Sequence, residues 1–137
     1  KDIKPLILVE KYLFTPDGKK PEEIKVTCIN SVPRFIGNYF HTNHGRQVIY
    51  FDTNWEFAGF RTAVDFYPDP LDDILHIAQR LSAEFPFVRV DFYIPPGQLF
   101  CGEMTFYPVA GFTHYDPPEW DEKFGSWFDI SEFYPPS

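Results

Sequence analysis

The sequence predicts an α+β domain, an antiparallel sheet with one main helix packed on it. Three observations carry this. Short β-rich runs flank turn-forming residues and read as hairpins. One segment alone shows a clear apolar stripe at helical spacing. The composition is that of a packed chain: 44% of the 137 residues are hydrophobic and 20% aromatic, so the 14 prolines punctuate a fold rather than mark disorder.

Along the chain, the run from Leu6 to Leu13 begins apolar on both faces and ends in alternation, as a strand leaving a buried sheet would. Turn chemistry makes residues 15–21 a loop. Ile24 to Ile29 and Arg34 to Phe40 flank Asn30-Ser31-Val32-Pro33 as a hairpin, and Gln47 to Phe51 forms a further strand. Asp69 is the expected cap of the helix and Pro70 its first residue, with Leu71, Ile74, Leu75, Ala78, Leu81 and Phe85 on the stripe. Phe87 to Tyr93 and Leu99 to Phe106 are strands joined by Pro95-Pro96-Gly97, and a short helix runs from Pro117 to near Gly125. No repeat and no internal boundary is visible, so residues 1–137 read as a single domain.

A net charge of −8 with no basic run argues against a nucleic-acid surface. An acidic site for a polyphosphate needs divalent cations between the two. Cys28 and Cys101 lie in apolar segments and read as free, reduced thiols, which suggests a cytoplasmic protein. No stretch is long enough for a membrane span, and the start lacks the parts of a signal peptide. Because it opens at Lys1 and runs directly into a predicted strand, the left edge reads as a cut.

Chemistry concentrates in Arg89-Val90-Asp91-Phe92-Tyr93 and Gly102-Glu103-Met104-Thr105-Phe106-Tyr107-Pro108. Two carboxylates on neighbouring strands can hold Mg²⁺, which favours a few carboxylate oxygens plus substrate phosphates. Asp91 and Glu103 share a face only if the hairpin loop is odd in length or a bulge intervenes. A three-residue loop at Pro95-Pro96-Gly97 would set Asp91 across from Cys101 and Arg89 across from Glu103. A two-residue turn would throw the carboxylates to opposite faces, and the site would vanish.

The order Arg-x-Asp, hairpin, Glu-x-Thr, Pro resembles the closing strand pair of ATP-grasp enzymes, and the wording of both segments is similar to the TupA-like (teichuronopeptide biosynthesis) branch. Val9-Glu10-Lys11-Tyr12-Leu13 resembles that fold's hinge strand, and Glu23-Ile24-Lys25 its acidic-x-basic step. Thr42-Asn43-His44-Gly45-Arg46, followed by Asp52 and Trp55, resembles the Asn-His-x-Arg segment, and Pro118-Glu119-Trp120-Asp121 also matches. The likeness runs from about residue 4 to about residue 128. It implies the C-terminal part of an ATP-grasp fold, with ATP and Mg²⁺ as cofactors. Asp91, Glu103 and Thr105 would be metal ligands. Glu10, Lys11, Leu13 and Glu23 would meet the nucleotide, Arg89 would contact the transferring phosphoryl group, Arg46 would contact a phosphate or the acceptor, and Lys25 would lie in the active site. The chain departs from the wider family in having Thr105 where most members have Asn, and from the branch in having Val109-Ala110-Gly111 where Gly-Ser-Gly is common.

The implied activity is an ATP-dependent carboxylate–amine ligase, acting through an acylphosphate in cell-surface polysaccharide assembly. The family's phosphate-covering loop precedes the hinge, so this chain alone is expected to bind ATP poorly. A metal-dependent glycosyltransferase and an inactive nucleotide-binding remnant are the rival readings. Arg89 could equally be the counter-ion of a cross-strand acid. Trp55, Trp120 and Trp127 read as packing, and His41, His76 and His114 show no metal-ligand spacing with any cysteine.

Overall fold

A computed structural model describes residues 4–42, 45–56, 68–115 and 118–131. Its sheet contains β1 (Glu22–Ile29), β2 (Val32–Thr42), β3 (Gly45–Phe51), β4 (Phe87–Ile94) and β5 (Phe100–Thr105), in the order β3-β2-β1-β4-β5. Each neighbouring pair is antiparallel. Helix α1 (Leu71–Leu81) covers one face, and α2 (Glu119–Ser126) follows the last strand. The α+β architecture with one main helix is the expected one.

Alternation along the strands sorts the residues onto two faces. On the α1 side lie Ile24, Val26 and Cys28 of β1, Ile36 of β2 and Val88, Val90 and Phe92 of β4, all fully buried. Leu71, Ile74 and Ala78 of α1 close this core. Asp69 does not cap the helix as expected. Pro70 is the residue before the first helical position, and no side chain bonds the free N–H groups there. Proline fits because its missing N–H is an orphan in any case, while Asp72 and Asp73 place negative charge in the first turn.

The β1–β2 and β4–β5 hairpins each contain an extra residue that changes the register. Asn30 and Ser31, with φ of 51° and 63°, form a two-residue turn between Ile29 and Val32. A bulge at Arg34 follows, so that Thr27 faces Phe35 although Cys28 faces Pro33. Without it Gly37 rather than Ile36 would sit in the core, so the apolar pattern requires the bulge.

The strand expected between Leu6 and Leu13 does not form. Residues 4–14 have no regular structure, and Leu6, Ile7, Leu8 and Val9 are each at least 83% exposed. An apolar run reads as a strand because strands buried on both faces look like this, but a strand also needs backbone partners. None of the described strands pairs with it.

Both cysteines are free, as expected; Cys28 is buried and Cys101, although in an apolar segment, is exposed on β5. Burial pushes the Cys28 thiol up to about 11, despite a bond with Ser82 that pulls the other way. A thiol reagent at pH 8 should therefore label one cysteine in the native chain and the second only after denaturant is added. Two fast-reacting thiols in the native chain would contradict the core placement of Cys28. Among the described residues no helix is long and apolar enough to cross a membrane.

Candidate functional site

The face away from α1 carries the charge. Cross-strand register lines up Gly37 of β2, Lys25 of β1, Asp91 of β4 and Glu103 of β5 in one row across the sheet. Glu23 and Tyr39 are opposed in a neighbouring row, as are Thr27, Arg89 and Thr105 on the other side.

The register that joins β4 and β5 is not the one the odd loop would have given. Asp91 faces Glu103, Arg89 faces Thr105, and Cys101 faces Phe92. The turn is of even length: the Gln98 N–H donates to the Pro95 carbonyl at 3.0 Å, with Pro96 and left-handed Gly97 at its centre. Parity is restored by Gly102, which sits between Cys101 and Glu103 as the extra residue of a bulge. The ring of Tyr93 lies over it, and a Cβ there would stand 2.6 Å from Tyr93 Cε2.

Asp91, 1% exposed, is the hub. Arg89 donates to it through Nε at 2.7 Å and through Nη2 at 2.9 Å, and Lys25 Nζ donates to Oδ2. Lys25 is itself buried and pairs with Glu23 Oε1 at 2.7 Å, while Lys20 reaches Glu23 Oε2 at 3.2 Å. The Thr105 hydroxyl accepts from Arg89 Nη2 at 3.1 Å and donates to Glu103 Oε1 at 3.0 Å. Burial alone would raise the Glu23 carboxyl, but Lys25 and Lys20 outweigh it and hold the group below its usual range. Likewise burial would lower Arg89, and the Asp91 carboxylate beside it tips the balance upward.

Next to the two cations the face becomes aromatic. Phe35 stacks on Phe124 of α2 at 4.2 Å, and Tyr115 meets Phe35, Tyr50 and Phe124 edge-on at 5.6, 5.6 and 4.4 Å. This cluster seats α2 against the sheet. Between it and Lys25–Arg89 lies a cleft of about 120 Å³, with Gly37 at its floor. A Cβ on Gly37 would come within 2.8 Å of Tyr39 and 3.3 Å of Tyr50, so the glycine keeps both rings in place. Burial, then the neighbouring phenol of Tyr39, pushes Tyr50 far above its ordinary value. The same two causes push Tyr115 up to about 12. A larger cleft, of about 760 Å³, lies between the loop around Lys19 and the β4–β5 turn, and none of the predicted site residues lines it.

The turn Pro108–Gly111 forms part of the cleft's rim and is left-handed at Val109, Ala110 and Gly111, with φ of 49°, 54° and 82°. For a β-branched residue this costs about 1–2 kcal/mol. Val109 is 70% exposed and so has little packing to lose. Replacing it by glycine should raise stability by about 0.5–1 kcal/mol in urea unfolding, once the added chain entropy is counted. A loss of stability would contradict the strain.

Of the predicted residues, the fold gathers Glu23, Lys25, Arg89, Asp91, Glu103 and Thr105 onto one face. Glu10 and Lys11 are exposed and Leu13 half-buried in the irregular segment, away from any strand. Arg46 lies on β3 in register with His41, and its side chain falls outside the description, as do Asn43 and His44 altogether. Trp55, by contrast, stacks on Phe51 at 4.2 Å and belongs to the core, as expected of a packing residue. Tyr39, Tyr50 and Tyr115 were not anticipated. Alternation from Lys25 could have pointed to Tyr39 and Tyr50 only with the Arg34 bulge known.

The donors suit a cation that is shared with a phosphate. Asp91 and Glu103 oppose each other, and among the described residues no group of three or more His, Cys, Asp or Glu could hold a metal by itself. A cation at Asp91 would have to compete with Lys25 and Arg89 for its oxygens.

No curated protein and no solved structure matches the chain. A family model described as TupA-like ATPgrasp matches residues 1–129, nearly the whole chain. The chain therefore belongs to the TupA-like ATP-grasp family.

Proposed function

We propose that this face works in a carboxylate–amine ligase that consumes ATP with Mg²⁺, in the assembly of a cell-surface polysaccharide or teichuronopeptide-type polymer. The observation that carries the reading is the opposition of Asp91 and Glu103 beside Arg89 and Lys25 on one sheet face. An acid oxygen attacks the γ-phosphorus of ATP, forming a P–O bond as the bridge to the β-phosphate breaks, and ADP leaves. The amine nitrogen then attacks the acyl carbon; the C–N bond forms, inorganic phosphate departs, and the amine loses a proton.

Asp91 and Glu103, with Thr105 beside them, would hold the cation, which when bound neutralises phosphate oxygens. Arg89 and Lys25 contribute fixed positive charge where the transferring group gathers negative charge. Thr105 holds Arg89 and Glu103 in a fixed relation through its single hydroxyl. Glu23 holds Lys25 in place through their ion pair. Glu23 would also meet the nucleotide, together with Glu10, Lys11 and Leu13, and Arg46 would join the phosphoryl-contacting set.

The full-length protein should release ADP from ATP only when Mg²⁺, an acid and an amine are present, and should leave sugar nucleotides intact. Glu103→Gln, at an exposed position, should abolish Mg²⁺-dependent nucleotide binding without changing the unfolding midpoint. Unchanged affinity, or sugar-nucleotide hydrolysis, would sink the proposal.

A further inference from the structure

We infer that Lys25 is a built-in competitor for the cation at Asp91, so that a divalent cation and a phosphate group enter this site together and neither enters well alone. This rests on the ligase reading and adds a coupling between its binding steps. Among the described residues the network is balanced as it stands: Glu23, Asp91 and Glu103 carry three negative charges, and Lys20, Lys25 and Arg89 three positive ones. A divalent cation alone would add two positive charges to a neutral set, and a phosphate dianion alone two negative ones. Brought together, they leave the balance unchanged.

The two acids that face each other are not equally open. Glu103 is exposed and accepts from the Thr105 hydroxyl at Oε1. Asp91 is closed: Arg89 takes both of its oxygens and Lys25 takes Oδ2 as well, which fills the lone pairs of that oxygen. With the side chain 1% exposed, a cation reaches it only if one of these neighbours moves. Lys25 is the one that moves more easily. Its Nζ already pairs with Glu23 Oε1 at 2.7 Å and lies 5.2 Å from the centre of the Tyr39 ring, so on leaving Asp91 it keeps a counter-ion and a π face. Arg89 would lose two parallel charge-assisted bonds at once.

A phosphate group gives Lys25 somewhere to go. Its oxygens accept from an ammonium as a carboxylate does, so it draws Nζ off Oδ2 and vacates that oxygen for the cation. Each ligand then strengthens the other by the same factor, because linkage is reciprocal. Until both arrive, Lys25 keeps the face in its closed, neutral arrangement, and the buried carboxylate is never left with too few partners.

The test is a Mn²⁺ titration of the full-length protein, followed by loss of the free-ion electron paramagnetic resonance signal, with and without inorganic phosphate and corrected by a protein-free blank. In the native chain, which needs no variant, phosphate should tighten Mn²⁺ binding about tenfold. Lys25→Met, which keeps the volume and removes the competitor, should tighten Mn²⁺ binding without phosphate about tenfold and leave a smaller gain when phosphate is added. Lys20→Met removes the same charge from Glu23 without touching Asp91, and should change Mn²⁺ affinity by less than about threefold. Equal tightening in the two lysine variants would mean net charge rather than competition and would overturn the inference. So would an unchanged Lys25→Met variant, or a native chain indifferent to phosphate. Mn²⁺ binding that Glu103→Gln weakens but Lys25→Met leaves unaltered removes the exchange and spares the ligase reading, whereas no Mn²⁺ binding even with phosphate or nucleotide present removes both.

Discussion

Asp91→Ala is expected to cost about 3–5 kcal/mol of stability, because it strands two cations that have little access to water. Lys25 is 5% exposed, and both its Nζ and the Arg89 guanidinium lean on the one carboxylate. Lys25→Met should cost far less, since Asp91 would keep its two-pronged bond from Arg89 and the methionine would fill the same volume. The double variant Asp91→Ala/Lys25→Met should recover part of the loss of Asp91→Ala alone, which a double-mutant cycle in urea would show as coupling. Equal penalties for the two single variants would mean that Asp91 is not the hub. For the same reason Asp91 variants are poor probes of metal binding, and Glu103 is the better one.

The second large effect should follow substitution of Gly102. As the extra residue of the β5 bulge it stands under the Tyr93 ring, where a Cβ would come within 2.6 Å of Cε2. Gly102→Ala should cost about 1–3 kcal/mol in urea unfolding, because the ring has to move. On the proposed role of the carboxylate pair, the displaced bulge should also weaken Mg²⁺-dependent nucleotide binding. Deleting Gly102 removes only the extra residue, so Glu103 should still face Asp91 and Thr105 still face Arg89. An alanine variant as stable as the native chain would mean that Tyr93 does not close on this glycine.

Gly102 also shows where sequence reasoning reached its limit. The two hairpins, the α1 stripe and the Asp91–Glu103 pair were legible because periodicity and turn residues are local signals. Whether the carboxylates met depended on one residue of parity, and a glycine in a strand gives only a weak hint of a bulge. An odd loop predicts the right face through the wrong register, since Asp91 faces Glu103 and not Cys101. Arg34 hid the partners of Lys25 in the same way, so Gly37 and Tyr39 went unnoticed. The aromatic cluster was out of reach for another reason. Phe35, Tyr50, Tyr115 and Phe124 are scattered over ninety positions and share no spacing; only the sheet order and α2 bring them together. At Leu6–Leu13 the local signal was real, yet a strand is a property of pairs, and the run alone could not supply the other member. Asp69 misled through residue type: it has the side chain of a cap but not the position.

The bare aliphatic stretch from Leu6 to Val9 has a colloidal consequence. Four consecutive exposed apolar side chains fall just short of the roughly five to seven residues, uncharged and free of proline, that stack between molecules into cross-β fibrils. It is bracketed by Lys4-Pro5 on one side and Glu10-Lys11 on the other. Proline interrupts a growing ladder of hydrogen bonds, and like charges repeated at each layer repel, so these flanking residues act as gatekeepers that keep an adhesive segment in solution.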